Sequence, residues 1–104
     1  MKPVIRTSAR RDILNQFVYF LDQGALPAAE KFLEAVKETV SKILERPSMG
    51  APKRLKNFRF KGLRKWSVSG FDVIQIYYLV AHDEIQILRV LHGKRDVDRL
   101  LGRE

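Results

Sequence analysis

The feature that most constrains this chain is a pair of nearly all-apolar runs near its end. Residues 73–80 read Val-Ile-Gln-Ile-Tyr-Tyr-Leu-Val, and residues 85–91 read Ile-Gln-Ile-Leu-Arg-Val-Leu. Both have strand length and are rich in β-branched and aromatic residues, and Ala81-His82-Asp83 separates them. Runs of this kind are buried strands joined by a turn. The second ends abruptly in His92-Gly93-Lys94-Arg95-Asp96, so the strand end presents a cationic corner.

Upstream the hydrophobic period is helical. Residues 3–6 make a short β-branched edge strand, where Pro3 is tolerated. Thr7 or Ser8 offers an N-cap, and Ile13, Leu14, Phe17, Phe20 and Leu21 follow at helical spacing to about Asp22. Gln23-Gly24 breaks that helix, with Gly24 suited to the position after its end. A second helix starts near Leu26, with Pro27 in its first turn. Ala29, Phe32, Leu33, Val36, Val40, Ile43 and Leu44 form its apolar stripe, and Pro47 and Gly50 end it. The short link predicts an antiparallel helical hairpin.

From Lys53 the period changes. Residues 55–60 read as a weak strand or loop, 63–68 as a better strand, and Ser69-Gly70 as a tight turn before the two apolar strands. Residues 96–101 suit one closing helical turn. The expected fold is α+β, in the order β-α-α-β-β-β: a helical hairpin packed on one face of a small curled antiparallel sheet. The other face is expected to carry much of the basic charge. At 104 residues the chain is expected to be a single domain, 1–104, burying about two-thirds of its unfolded surface.

Composition narrows the functional classes. There is no cysteine, hence no disulfide framework or thiolate metal site, and no metal or other cofactor is expected. The N-terminus Met1-Lys2-Pro3-Val4-Ile5-Arg6 lacks the apolar core of a signal peptide, and no apolar run reaches membrane-spanning length, so a cytoplasmic protein without membrane partners is expected. The net charge of +8 is concentrated. Arg46, Lys53, Arg54, Lys56, Arg59, Lys61, Arg64 and Lys65 fall within residues 46–71, which hold no Asp or Glu, while the remainder has 12 Lys/Arg and 12 Asp/Glu. Such a block attracts nucleic acid, an anionic membrane surface or an acidic protein, or it is a solvated face kept soluble by its charge.

Residues 87–96, Ile-Leu-Arg-Val-Leu-His-Gly-Lys-Arg-Asp, resemble the closing signature of ParE toxins, the DNA-gyrase poisons of bacterial type II toxin–antitoxin pairs. The resemblance continues along the chain. Thr7-Ser8-Ala9 with Asp12 and Ile13 resembles the family's first-helix opening, and Ala28-Ala29 with Phe32 its second helix. Leu44, Pro47, Met49 and Gly50 resemble the helix exit; Leu63-Arg64, Phe71, Val73, Ile74, Ile76 and Tyr77 resemble the hairpin. The element order is similar to that of the ParE/RelE superfamily. The resemblance implies a toxin neutralised by a ParD-like antitoxin, in a hetero-oligomer in the bacterial cytoplasm. The antitoxin's disordered tail would fold against the toxin's helices and sheet edge. Candidates for that contact are Arg10, Arg11, Phe17, Phe20, Leu33 and Lys37.

The superfamily holds gyrase poisons and ribosome-dependent mRNA endoribonucleases. Cleavage through a 2′-hydroxyl needs a base, an acid and cations for the phosphorane. Arg64, Lys65 and Arg95 supply cations. However, Asp72 stands where RelE-like relatives place a basic residue, Leu101 stands about where their C-terminal Tyr would be, and residues 46–71 offer no carboxylate as base. The preferred reading is therefore a non-enzymatic gyrase poison that stabilises the cleaved-DNA complex. The alternatives are a RelE-like ribonuclease and an inactive antitoxin-binding member. Candidate target contacts are Arg59, Lys61, Arg64, Lys65, Trp66, His92 and Arg95.

Each candidate also has a plainer role. His92 suits a polar group capped by the following turn, and Gly93 an unusual backbone angle. Arg95 suits an ion pair with Asp96. Trp66 suits core packing under the hairpin, or stacking on a base or partner side chain. Arg89, inside an apolar strand, requires a partner such as Asp12 or Glu38. Tyr77 and Tyr78 point to opposite faces of their strand, so one of them is expected in the core. Arg10 and Arg11 open a helix whose dipole disfavours them, which fits either an acidic partner or no functional role.

Overall fold

The computed structural model describes residues 1–56 and 60–102. The elements are β1 (Lys2–Ile5), α1 (Thr7–Asp22), α2 (Leu26–Glu45), β2 (Ala51–Pro52), β3 (Arg64–Val68), β4 (Phe71–Ala81), β5 (Glu84–His92) and α3 (Val97–Leu101). The sheet order is β1-β5-β4-β3-β2. This is the expected α+β arrangement with two additions. A two-residue strand, β2, pairs with the start of β3. The sheet is also mixed rather than wholly antiparallel, because β1 runs parallel to β5, from Lys2 opposite Glu84 to Ile5 opposite Ile87. Arg6 alone separates β1 from α1, so β1 must run toward the point where α1 meets the sheet, and that direction is the direction of β5.

The first helix begins differently from the sequence reading, whereas the second begins as it required. Arg6 is the residue before α1 and no side chain caps it; Thr7 and Ser8 lie inside the helix. Pro27 occupies the first turn of α2 as expected. Gly24, at φ 71°, lets the chain leave α1 and turn back within three residues. Ala9, Phe32, Val36, Val40 and Ile43 pack on the sheet's inner face against Val68, Ile74, Ile76, Tyr78, Ile85, Ile87 and Val90. Burying one side chain such as Phe32 contributes about 2–3 kcal/mol. Phe20, Phe32 and Phe71 meet with ring centroids 5.6–5.7 Å apart, closing the end of this core near the β3–β4 turn. Thr39 is also buried there. Its hydroxyl donates to the Ala35 carbonyl (2.7 Å) and accepts from the Ser69 amide (3.0 Å), tying α2 to that turn.

The α1 stripe is less covered than its spacing suggests. Ile13, Phe17 and Phe20 are half-buried, but Leu14 and Leu21 are 58% and 39% exposed. The outer sheet face is the reverse case. Phe60, Leu63, Tyr77, Leu88, Leu91, Val97 and Leu101 form a second core there, beneath α3 and the segment before β3. Tyr77 and Tyr78 do point to opposite faces, yet both are buried, because each face has its own core. A register shift between them lets Leu88 bulge into the second cluster. Residues 53–56 form no strand. The rest of the expected weak strand or loop includes residues 57–59, which lie outside the described residues.

Arg89 finds the partner its burial demanded. Its guanidinium donates to both oxygens of Asp12, at 2.7 and 2.8 Å, with side-chain exposures of 13% and 9%. The same carboxylate accepts from the Val90 amide at 2.9 Å. β1 stops opposite Ile87, so Asp12 takes over the edge of β5 where strand pairing ends. Asp12→Ala is expected to lower stability by about 3–5 kcal/mol in urea unfolding, because it leaves a mostly buried guanidinium without this carboxylate. Asp12→Asn keeps an acceptor for Val90 and is expected to cost less.

Candidate functional site

The sequence-derived candidates separate into three surfaces. The first is an apolar groove where β1, α1 and α2 meet. Ile5, Arg10, Ile13, Leu14, Phe17 and Leu33 line one part, about 320 Å³. Ile5, Ile13 and Leu33 continue into a second part, about 510 Å³, with Val36 at its floor and Glu30, Glu34 and Lys37 at its rim. The structure thus brings together Arg10, Phe17, Leu33 and Lys37. Phe20 packs instead into the aromatic cluster with Phe32 and Phe71. Arg11 is exposed and lines neither part. The Lys37–Glu34 pair, at 3.9 Å and almost fully exposed, adds little stability.

The second surface lies along β3. Lys42, Met49, Ala51, Lys65, Trp66, Ser67, Val68, Ser69, Asp72 and Gln75 line an open groove of about 550 Å³. Trp66 packs partly against the main core and contributes to this groove as well. Arg64 does not line it. Its guanidinium donates to the carbonyls of Gly50 (2.7 Å) and Ser48 (3.0 Å). It therefore secures the loop after α2, together with Tyr78, whose hydroxyl donates to the Pro47 carbonyl (2.8 Å) and accepts from the Gly50 amide (2.9 Å). Gly50 is required there, since a Cβ would collide with the Tyr78 hydroxyl and lie 2.8 Å from its ring. Burial raises the Tyr78 pKa above the ordinary tyrosine value; the Gly50 amide and the Arg64 charge act in the opposite direction. Tyr77 is raised by burial.

The third surface is the cationic corner and the outer layer beside it. His92, Lys94 and Arg95 are exposed at the end of β5. His92 Nδ1 accepts from the Lys94 amide at 3.3 Å, the turn-capping role its position suggested. It also lines a recess of about 410 Å³ with Gln16, Tyr19, Phe20, Phe71, Val73 and Ile74. Gly93 does not use a left-handed backbone angle. Its amide instead meets the Val73 carbonyl at 2.6 Å, and a Cβ would approach that oxygen to 3.4 Å. Arg95 makes no ion pair among the described residues, and Asp96 caps α3 by accepting from the Arg99 amide. Lys61 is exposed on the segment before β3. Arg59 lies outside the described residues.

These candidates do not converge. Arg64 pairs with Tyr78 and His92 with Ile74, on opposite sides of β4 and four residues apart along it. Their Cα atoms are therefore separated by about 17 Å. Leu101 is fully buried in the outer core. Sequence reading missed Lys42, Gln75 and Ser67 beside Lys65, and Tyr19 and Val73 beside His92. The exposure of Tyr19 and Val73, 55% and 57%, has no periodic signature. No group of His, Cys, Asp and Glu able to hold a metal occurs among the described residues. No helix there is long and apolar enough to cross a membrane.

A family model described as "ParE toxin of type II toxin-antitoxin system, parDE" matches residues 4–97. The chain belongs to this ParE toxin family. Among solved structures it is similar to a chain of a chromosomal ParDE toxin–antitoxin system from P. aeruginosa, with a TM-score of 0.73 and 19% identity over 90% of this chain and 97% of that one. No curated protein gives a significant sequence match.

The geometry separates structural from free cations. Arg64→Ala is expected to lower stability by about 1–3 kcal/mol, through loss of charged hydrogen bonds to two carbonyls. Arg95→Ala is expected to leave the thermal midpoint unchanged. Tyr78→Phe is expected to cost about 1–3 kcal/mol, since the Gly50 amide loses its acceptor. In the unmodified protein the contribution of Tyr78 is complete below pH 10 and lost as pH rises through its raised folded-state value. Alkaline unfolding of Tyr78→Phe should therefore show a weaker pH dependence.

Proposed function

We propose that this chain is held inactive by a ParD-like antitoxin and, when released in the bacterial cytoplasm, poisons DNA gyrase by stabilising its covalent cleaved-DNA complex. One observation carries the choice over RNA cleavage: the groups that phosphoryl-transfer chemistry would need are dispersed. Arg64 is engaged with main-chain carbonyls, Lys65 lines a groove with Asp72, and His92 and Arg95 stand at the far corner. General acid–base catalysis needs its groups within hydrogen-bond reach of one substrate position. A protein that traps a complex needs only shape and charge.

The groove lined by Ile5, Ile13, Phe17 and Leu33 suits the antitoxin. Its apolar floor and mixed-charge rim fit an amphipathic segment that folds on binding. The resulting assembly is a hetero-oligomer of toxin and antitoxin. Target contact is assigned to Lys61, Lys65, Trp66, His92 and Arg95.

The deciding experiment combines purified toxin, gyrase, supercoiled plasmid and ATP, with a parallel reaction containing translating ribosomes and labelled message. Trapped cleaved DNA with intact message is expected. Cut message with unaffected gyrase would establish the ribonuclease, and no effect in either reaction the inactive antitoxin-binding member. Leu33→Glu, with Phe17→Glu as a second probe, is expected to weaken capture by a ParD-like antitoxin at least tenfold while gyrase trapping persists.

A further inference from the structure

The outer layer of the sheet joins two basic segments that are distant in sequence. Leu55, Phe60 and Leu63 from the segment before β3 share the second core with Val97, Leu100 and Leu101 from α3. A hydrogen bond from the Lys56 amide to Asp98 Oδ1, at 3.1 Å, links the segments directly. With their apolar side chains turned onto the sheet, the residues between carry charge. Lys53, Arg54, Lys56 and Lys61 come from the first segment, and Lys94, Arg95 and Arg99 from the second. All but half-buried Lys53 are exposed.

The acidic groups of this layer do not form ion pairs with these cations among the described residues. Asp96 accepts from the Arg99 amide and Asp98 from the Lys56 amide. Among the described residues of these two segments, seven cations thus face two carboxylates. Residues 7–45, which form the helical layer on the opposite face, hold five cations and six acids. The charge asymmetry of the sequence has become an asymmetry between the two faces of the molecule. The basic face also has a groove of about 470 Å³, in which Lys53, Arg54 and Lys61 flank Leu55, Phe60 and Leu63.

We infer that this face binds the phosphate backbone of double-stranded DNA without reading its sequence. Cations that line a groove and form no ion pairs among the described residues suit a polyanion with closely spaced charges. Duplex DNA is the polyanion chosen because the proposed gyrase complex holds a DNA duplex, and to that extent the inference rests on the gyrase reading. In that complex the toxin touches the DNA as well as the enzyme.

The test uses the whole chain and a fluorescently labelled 20-base-pair duplex, with binding read by anisotropy between 50 and 200 mM salt and no gyrase present. With four or five phosphates neutralised, the slope of log K against log salt is expected to be about −4. Lys53→Glu with Arg54→Glu and Lys61→Glu is expected to weaken binding at least tenfold at 50 mM salt. Lys31→Glu, on the balanced layer, should leave it unchanged. Melting curves establish that each variant is folded, and the salt slope of the unmodified protein stands even if the triple variant is not. Absence of duplex binding at 50 mM salt would overturn the inference. So would tighter binding to single-stranded RNA of equal length or to an acidic polypeptide, or equal loss in both variants. Gyrase trapping by the same preparation separates the two readings. Trapping without duplex binding removes the DNA contact alone, and duplex binding without trapping removes the gyrase target alone.

Discussion

The carboxylate of Asp12 holds the two halves of this fold together. β5 is paired with β4 along one edge but with β1 along only part of the other. Where β1 ends, the Val90 amide and the mostly buried Arg89 guanidinium both call for an acceptor. Asp12 meets both needs at once and brings α1 against the sheet. The position of α1 in turn sets the groove it forms with β1 and α2. Replacing a buried pair by apolar residues is often neutral, but a half-removed pair leaves an uncompensated charge. The arrangement is therefore sensitive to loss of either member.

The middle of β4 and most of β5 are buried on both faces, which explains their nearly continuous apolar sequence. A sheet covered on one face only would alternate apolar and polar residues. The adjacent tyrosines show the consequence most clearly. Tyr78 reaches through the inner core to hold the loop after α2, while Tyr77 packs beneath α3 and the segment before β3. The two faces then have different roles. The helical face leaves an apolar groove open, and the outer face presents most of the excess positive charge.

Much of this was legible from pattern. The helical stripes, the hairpin between the helices, the tight turn at Ser69-Gly70 and the need of Arg89 for an acidic partner all follow from spacing, turn chemistry and the cost of burying an unpaired charge, while the choice of Asp12 over Glu38 came from the fold. The functional candidates were less legible. Arg64 looked like a free cation because sequence shows its charge but not the two carbonyls within its reach. Gly93 looked like a positive-φ residue, whereas its small size serves a close approach to Val73. Leu14 and Leu21 continued the α1 stripe, yet remain exposed, Leu14 on the open groove it shares with Phe17 and Leu33.

The sequence by itself determined the order and kind of elements, the chemical family to which they belong and the concentration of charge, because these depend on near-neighbour periodicity and on composition. The tertiary structure alone decided which edge β1 joins, that the outer face has its own core, and that Lys56 lies beside Asp98 in that layer. Those outcomes depend on contacts between residues some forty to eighty positions apart. Such contacts arise only when separate apolar faces must be covered at the same time, a requirement that no local window of sequence contains.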